Sequence, residues 1–234
     1  MILALNTSTL QYGLALLRED GNVLAEHFLS KGKGHFGGLM PALDFLLTNS
    51  GTGIHNVRGI IVAVGPGSFT GLRVGLSTAK GLSQGLDVPI IGVTSLEALA
   101  SQLNYSAFPV ISVLDSRKNE FFAGRFAWDH KHLLVRNGED VCIKAEDLSS
   151  LCKIPTLFVG NDFAGQGSLI KERLGPRAVL APAHLWNPRA SALGLLGLKR
   201  FHAHDFDDSH QLSPIYMRPP DIRPNPSPVK AYES

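Results

Sequence analysis

Cysteine is scarce in this chain. The two that occur, Cys142 and Cys152, show no CxxC spacing and no surrounding disulfide framework, which excludes a disulfide-stapled secreted scaffold and a cysteine-built zinc site. Basic residues are scattered without a run, and the formal net charge is only +2, so composition gives no case for direct nucleic-acid binding. No apolar stretch approaches the roughly 20 residues needed to cross a bilayer. The opening Met1-Ile2-Leu3-Ala4-Leu5 has no basic flank and turns polar at Asn6, unlike a signal peptide. The expectation is a cytoplasmic protein with no membrane contact.

What is present is an ordinary globular composition, 44% hydrophobic and 18% charged over 234 residues, enough for one large domain or two lobes sharing a core. Ile2–Leu5 reads as a strand, and Tyr12–Arg18 and Val23–Ser30 flank Glu19-Asp20-Gly21-Asn22, a hairpin signal. Leu39, Met40, Leu43, Leu46 and Leu47 fall at helical spacing and predict a helix over Phe36–Thr48. A strand at Gly59–Val64, a glycine-rich turn, a helix reaching about Gly85, a strand at Pro89–Val93 and a helix opened by Thr94 or Ser95, with Glu97 behind it, complete an α/β order that begins in a three-strand meander. That order differs from the strict βαβ alternation of a dinucleotide-binding domain.

A boundary falls near Asn104–Pro109, after which the pattern partly repeats. Val110–Leu114, Asn119–Phe126, His132–Arg136 and Leu157–Gly160 read as strands, and Ala190–Phe201 as a late helix. The division expected is an N-terminal lobe over 1–105, a C-terminal lobe over 106–218 and a tail over 219–234. Six prolines lie between Pro214 and Pro228, predicting an extended or disordered segment beyond Arg218.

The most distinctive stretch is Gly65-Pro66-Gly67-Ser68-Phe69-Thr70-Gly71-Leu72-Arg73. A turn of this kind can present backbone N–H groups to an anion, with Ser68 or Thr70 capping the next helix. It fails three common patterns. Leu72 and Arg73 stand where a P-loop needs Lys and a hydroxyl, Gly65, Gly67 and Gly71 are misspaced for GxGxxG, and Pro66 replaces the first glycine of GxSxG.

From Pro66 to Leu86 the only charged side chains are Arg73 and Lys80, which form one stripe with Ser77 and Gln84. The rest of the helix is small or apolar, so it is either core on all sides or packed against its own sheet on one side and a second protein on another.

Catalytic chemistry is poorly represented. Asn6-Thr7-Ser8-Thr9 sits where an actin-type phosphate turn would lie, but that turn uses an Asp to hold the metal and its water, and Asn6 is uncharged. The nine histidines include no HExxH or HxxxH. The ligand-type residues from His202 to His210 lie in a polar loop and read as solvated. No Ser, Cys or Lys has an identifiable base, and Asp115 and Glu120 form no evident acid pair.

The chain resembles the TsaB (YeaZ) family of tRNA threonylcarbamoyladenosine biosynthesis proteins. The resemblance rests on Ile2–Thr9, on the signature Gly65–Gly75 continuing through Ala79-Lys80-Gly81-Leu82, on His35 followed by Leu39 and Pro41, on Asp115-Ser116-Arg117, and on Pro214-Ile215-Tyr216-Met217-Arg218. It implies an ASKHA fold, related to actin, the sugar kinases and ribonuclease H, in two lobes with mixed sheets. It also implies a subunit without catalytic, cofactor or metal residues of its own.

In that family the protein partners the metal-containing paralogue TsaD, which transfers threonylcarbamoyl from its adenylate, made by TsaC, to N6 of adenosine 37 in tRNAs reading ANN codons; the ATPase TsaE joins them. The resemblance implies a heterodimer, a possible homodimer when alone, and tRNA contact through the complex. Its interface is implied to lie on the first two helices, here Phe36–Thr48 and about Thr70–Gly85, at His35, Leu39, Leu43, Phe69, Thr70, Arg73, Gly75, Leu76 and Lys80. Relatives usually carry Asp at position 6 and Ser-Glu at Phe36-Gly37. The competing expectation is an ATP-dependent phosphotransferase or metallopeptidase of the same fold; a Rossmann-type oxidoreductase lacks its fingerprint.

Overall fold

A computed structural model of the chain describes residues 1–29, 35–117 and 119–218; the expected tail over 219–234 lies outside them. The first sheet is built from β1 (Ile2–Asn6), β2 (Tyr12–Leu17), β3 (Val23–Leu29), β4 (Gly59–Gly65) and β5 (Ile90–Thr94) in the order β3-β2-β1-β4-β5. The first three strands form the antiparallel meander, and β4 and β5 continue parallel to β1. At the predicted hairpin, Gly21 adopts a φ of 88° and its amide donates to the Arg18 carbonyl at 3.0 Å, a conformation that costs glycine least.

β1, β2 and β4 are buried along their whole length because helices cover both faces of the sheet. On one face α1 (Leu39–Asn49) and α2 (Phe69–Leu86) pack Leu39, Leu43, Leu46, Leu76 and Ala79 against Leu3, Leu5, Ile60 and Val62. The alternate residues Ile2, Ala4, Ile61 and Ala63 point to the other face, as the two-residue strand period requires. The first helix starts later than Phe36, because His35–Gly38 forms a separate 3-10 turn; Pro41, in the opening turn of α1, removes no hydrogen bond there.

The second sheet contains β6 (Val110–Arg117), β7 (Glu120–Trp128), β8 (Leu134–Arg136), β9 (Val141–Lys144), β10 (Thr156–Val159) and β11 (Ala178–Leu180), in the order β11-β10-β6-β7-β8 with β9 also pairing β7. It repeats the plan of the first: a central opening strand, an antiparallel partner on one side, and two later strands parallel to it on the other. Two lobes of related design are therefore present, without a visible sequence repeat.

The closing helices link the lobes. Leu96, Leu99 and Ala100 of α3 (Ser95–Ser101) join the core of the second sheet, and Ala98 packs on the open face of the first. After α4 (Gly165–Leu174), which packs Ile170 and Leu174 into the second-lobe core, α5 (Ala190–His202) returns to the open face of the first sheet with Ala190, Leu193 and Leu198. A Cβ at Gly194 would come 2.5 Å from Leu17, and one at Gly197 2.7 Å from Ile61, so both glycines permit this contact. β1 to β5 lie before residue 105 and β6 to β11 after it, while α5 packs on the first sheet.

Candidate functional site

The glycine signature and the turn after β1 are docked on each other. Ser68, the N-cap of α2, accepts from the Gly71 amide at 3.3 Å, and its own amide donates to the Ser8 carbonyl at 2.6 Å. The Thr7 hydroxyl donates to the Gly71 carbonyl at 2.7 Å. A Cβ at Gly67 would lie 2.0 Å from the Ser8 carbonyl oxygen, and one at Gly75 2.0 Å from Thr7 Oγ1. The glycines thus allow two backbone segments to touch, and the cap consumes donors that a bound anion would otherwise use.

Asn6 is buried and uses both ends of its amide. Nδ2 donates to the Pro188 carbonyl, while Oδ1 accepts from the Ser8 amide at 3.1 Å and the Ser8 hydroxyl at 2.8 Å. A carboxylate in its place would face the Pro188 carbonyl without a proton to donate.

Between the lobes lies a cleft of about 390 Å³, lined among others by Thr9, Ser68, Asp115, Ser116 and Asn161. Its rim includes the segment Pro214–Arg218, which touches both lobes: the Ile215 amide donates to the Val64 carbonyl at 2.7 Å, and Arg218 donates to the Ser116 carbonyl at 3.0 Å and pairs with Glu120 at 3.2 Å. Gly65, with φ of 111°, makes room for this segment, since a Cβ there would sit 2.9 Å from the Ile215 carbonyl oxygen.

The residues expected at a partner surface divide into two groups. Leu39, Leu43, Gly75 and Leu76 are buried within the first lobe, so their side chains are not available to a docking protein. Thr70 and Arg73 are exposed, Phe69 and Lys80 are half-buried, and His35 opens the 3-10 turn before α1. The outward face also presents residues outside the expected set: Met40 and Phe45 on α1, 52% and 60% exposed, and Ser77, Gly81 and Gln84 on α2. Met40 shares the helical spacing of the core leucines but lies at the edge of their face, exposed. The stripe of Arg73, Ser77 and Gln84 is the sequence signal that does mark this face.

The polar loop after α5 is a clamp. Arg200 pairs with Asp205 at 2.7 Å and with Asp207 at 3.0 Å, and Asp207 accepts from the Gly92 amide at 2.7 Å. The Arg200 guanidinium holds the Asp205 carboxyl below the usual carboxylate range. Among the described residues no group of three or more His, Cys, Asp or Glu is placed to hold a metal ion, and no helix is long and apolar enough to cross a membrane.

The TsaD family model, described as tRNA N6-adenosine threonylcarbamoyltransferase, matches residues 22–186. The chain is 35% identical over 220 residues to the tRNA threonylcarbamoyladenosine biosynthesis protein TsaB of Bacillus subtilis, covering 93% of each, and 28% identical to the protein of the same name from Haemophilus influenzae, again covering 93% of each. A Nitratidesulfovibrio vulgaris protein named tRNA N6-adenosine threonylcarbamoyltransferase is 34% identical over 76% of this chain and 54% of its own length. The solved structure of YeaZ from Pseudomonas aeruginosa superimposes with a TM-score of 0.76 at 26% identity, covering 92% of this chain and 98% of that one. The duplicated mixed sheets, with the likeness to YeaZ, make this an ASKHA-type fold. Sequence kinship over nearly the whole chain and likeness of fold agree: the chain belongs to the TsaB family of tRNA threonylcarbamoyladenosine biosynthesis proteins.

Proposed function

We propose that the chain is a non-catalytic subunit in the cytoplasmic synthesis of N6-threonylcarbamoyladenosine at position 37 of tRNA, and that it acts by holding a TsaD-type transferase on the outward faces of α1 and α2. The observation that carries this reading is the composition of that face. Met40 and Phe45 stand exposed on α1, and Gly81 and Gly85 sit exposed in α2, where an added Cβ would meet nothing within 4 Å. Each such glycine costs an isolated helix about 0.5–1 kcal/mol relative to Ala, a cost that a partner helix packed closely against them would offset.

A second support is chemical. The Asn6 amide, the Thr7 hydroxyl and the Ser8 backbone are engaged in hydrogen bonds within the first lobe or to Pro188, which leaves this turn serving the fold. A TsaE-like ATPase and tRNA would join through the assembled complex.

Copurification with a TsaD-type transferase, followed by mass measurement of the complex, tests the reading. Arg73→Glu and Gly81→Arg alter the outward face without touching the core, and each is expected to abolish association while leaving thermal unfolding of the chain within a few degrees of wild type. Association at wild-type strength in both variants would exclude this face.

The competing reading, an ATP-dependent phosphotransferase of the same fold, is favoured by the interlobe cleft. ATP turnover by the purified chain that disappears in Asn6→Ala would decide for it.

A further inference from the structure

Tyr216 lies far from α2 in sequence but is part of its outward surface. Its ring centroid is 5.0 Å from that of Phe69, and its hydroxyl accepts from Arg73 Nε at 3.0 Å. The Arg73 guanidinium lies 3.8 Å over the Phe69 ring and 6.0 Å from the centre of the Tyr216 ring. The Phe69 ring and the Tyr216 hydroxyl therefore fix an exposed arginine in one geometry. Around it, Leu10 is 71% exposed and Ile215 and Tyr216 are each 42% exposed, and all three line the mouth of the interlobe cleft.

An exposed long cation ordinarily loses side-chain entropy when a partner arrives. Here Arg73 is already oriented, with a charge-assisted hydrogen bond and an aromatic face beneath it. Arginine and tyrosine are among the residue types that most often dominate association energy, and the bare apolar area beside them is what a partner would cover. The segment is anchored at both ends, by Ile215 to β4 of the first lobe and by Arg218 to the second, with Met217 packed on the second-lobe core.

We infer that Pro214–Arg218 is a third element of the surface that receives the TsaD-type transferase, and that Tyr216 is the positioning residue that sets Arg73 for it. This rests on the reading above and deepens it. The surface does not end at the two helices but continues over the mouth of the cleft. Because the segment bridges the lobes, seating Tyr216 on α2 also couples the docking face to the arrangement of the cleft.

The test is titration of the full chain with a TsaD-type transferase, with thermal unfolding as the control for folding. Tyr216→Ala is expected to weaken binding by about 30-fold or more, the level of a strong interface contact, and Tyr216→Phe, which keeps the ring but frees Arg73 Nε, to fall between Ala and wild type. Arg73→Ala combined with Tyr216→Ala is expected to weaken binding by less than the product of the two single effects, because one residue acts through the other.

Wild-type affinity in Tyr216→Ala would overturn the inference, and so would independent multiplication of the two effects. For Arg218→Ala, faster hydrogen exchange at the Ile215 amide together with weaker binding is expected; faster exchange with unchanged binding would overturn the coupling. Failure of the wild-type chain itself to bind the transferase would overturn the functional reading instead.

Discussion

Gly75 and Thr7 meet so closely that a Cβ on the glycine would lie 2.0 Å from the threonine hydroxyl oxygen. The same hydroxyl donates to the Gly71 carbonyl, one turn earlier on the helix. The glycine signature is thereby explained from inside the protein: Gly75 admits Thr7, Gly67 admits Ser8, and Gly65 admits Ile215.

Gly75→Ala is accordingly expected to lose about 2 kcal/mol or more of folding stability, because neither the helix nor the β1 turn can move without breaking the hydrogen bonds that join them. Urea unfolding of the purified variant checks this. A bulky residue here would disrupt the lobe before it reached a partner, so loss of association in Gly75→Trp would report on folding.

Gly81→Ala should act in the opposite direction. Nothing lies within 4 Å of the added Cβ, and replacing a helical glycine with alanine stabilises by about 0.5–1 kcal/mol. The midpoint of urea unfolding should rise, while affinity for the transferase should not rise with it.

Asn6→Asp places a carboxyl against the Pro188 carbonyl. Burial raises the pKa of such a group, and only its protonated form can donate to Pro188. A raised folded-state pKa gives a contribution that is fully present below the unfolded value of about 3.9 and is lost as pH rises through the folded value. The variant should lose about 1–3 kcal/mol relative to wild type at neutral pH, and the deficit should shrink as the solution is acidified. Thermal unfolding across pH 3–8 measures it.

The clamp after α5 has the opposite pH sign. Hydrogen bonding to Arg200 lowers the Asp205 pKa, so its stabilising contribution is present above the unfolded carboxylate value and is lost as pH falls through the lower folded value. Arg200 is shifted upward and stays charged throughout that range. Wild type and Asp205→Asn should therefore differ in unfolding temperature at pH 6 and converge towards pH 2.

Local chemistry made much of this structure legible in the sequence. The Asp-Gly hairpin, the Ser68 and Thr94 caps, and the strand, turn and helix around the signature follow from nearest-neighbour preferences and appear where expected. The orientation of α2 was harder to read. A helix that is apolar almost all round leaves its inward side undetermined, and it took Thr7 to show that Gly75 points in while Gly81 points out. Tyr216 and the placement of α5 left no local signal, because both depend on residues far away along the chain. β9, α4 and β11 are short or weakly patterned, and their identity comes from the second-lobe core they complete.

The late return of α5 to the first sheet sets an order for synthesis. β5 ends at Thr94, but α5, which covers most of the open face of its sheet, begins only at Ala190. While the ribosome makes the intervening chain, Ile2, Ala15, Leu17 and Ile61 lack the α5 residues Ala190, Leu193 and Leu198 that pack with them, and Ala98 of α3 covers only part of that face. Bare apolar surface of that kind recruits chaperones or aggregates. The first lobe to be translated is thus the last to be finished, and a nascent chain stalled before α5 would be held as an unfinished sheet rather than as a folded half.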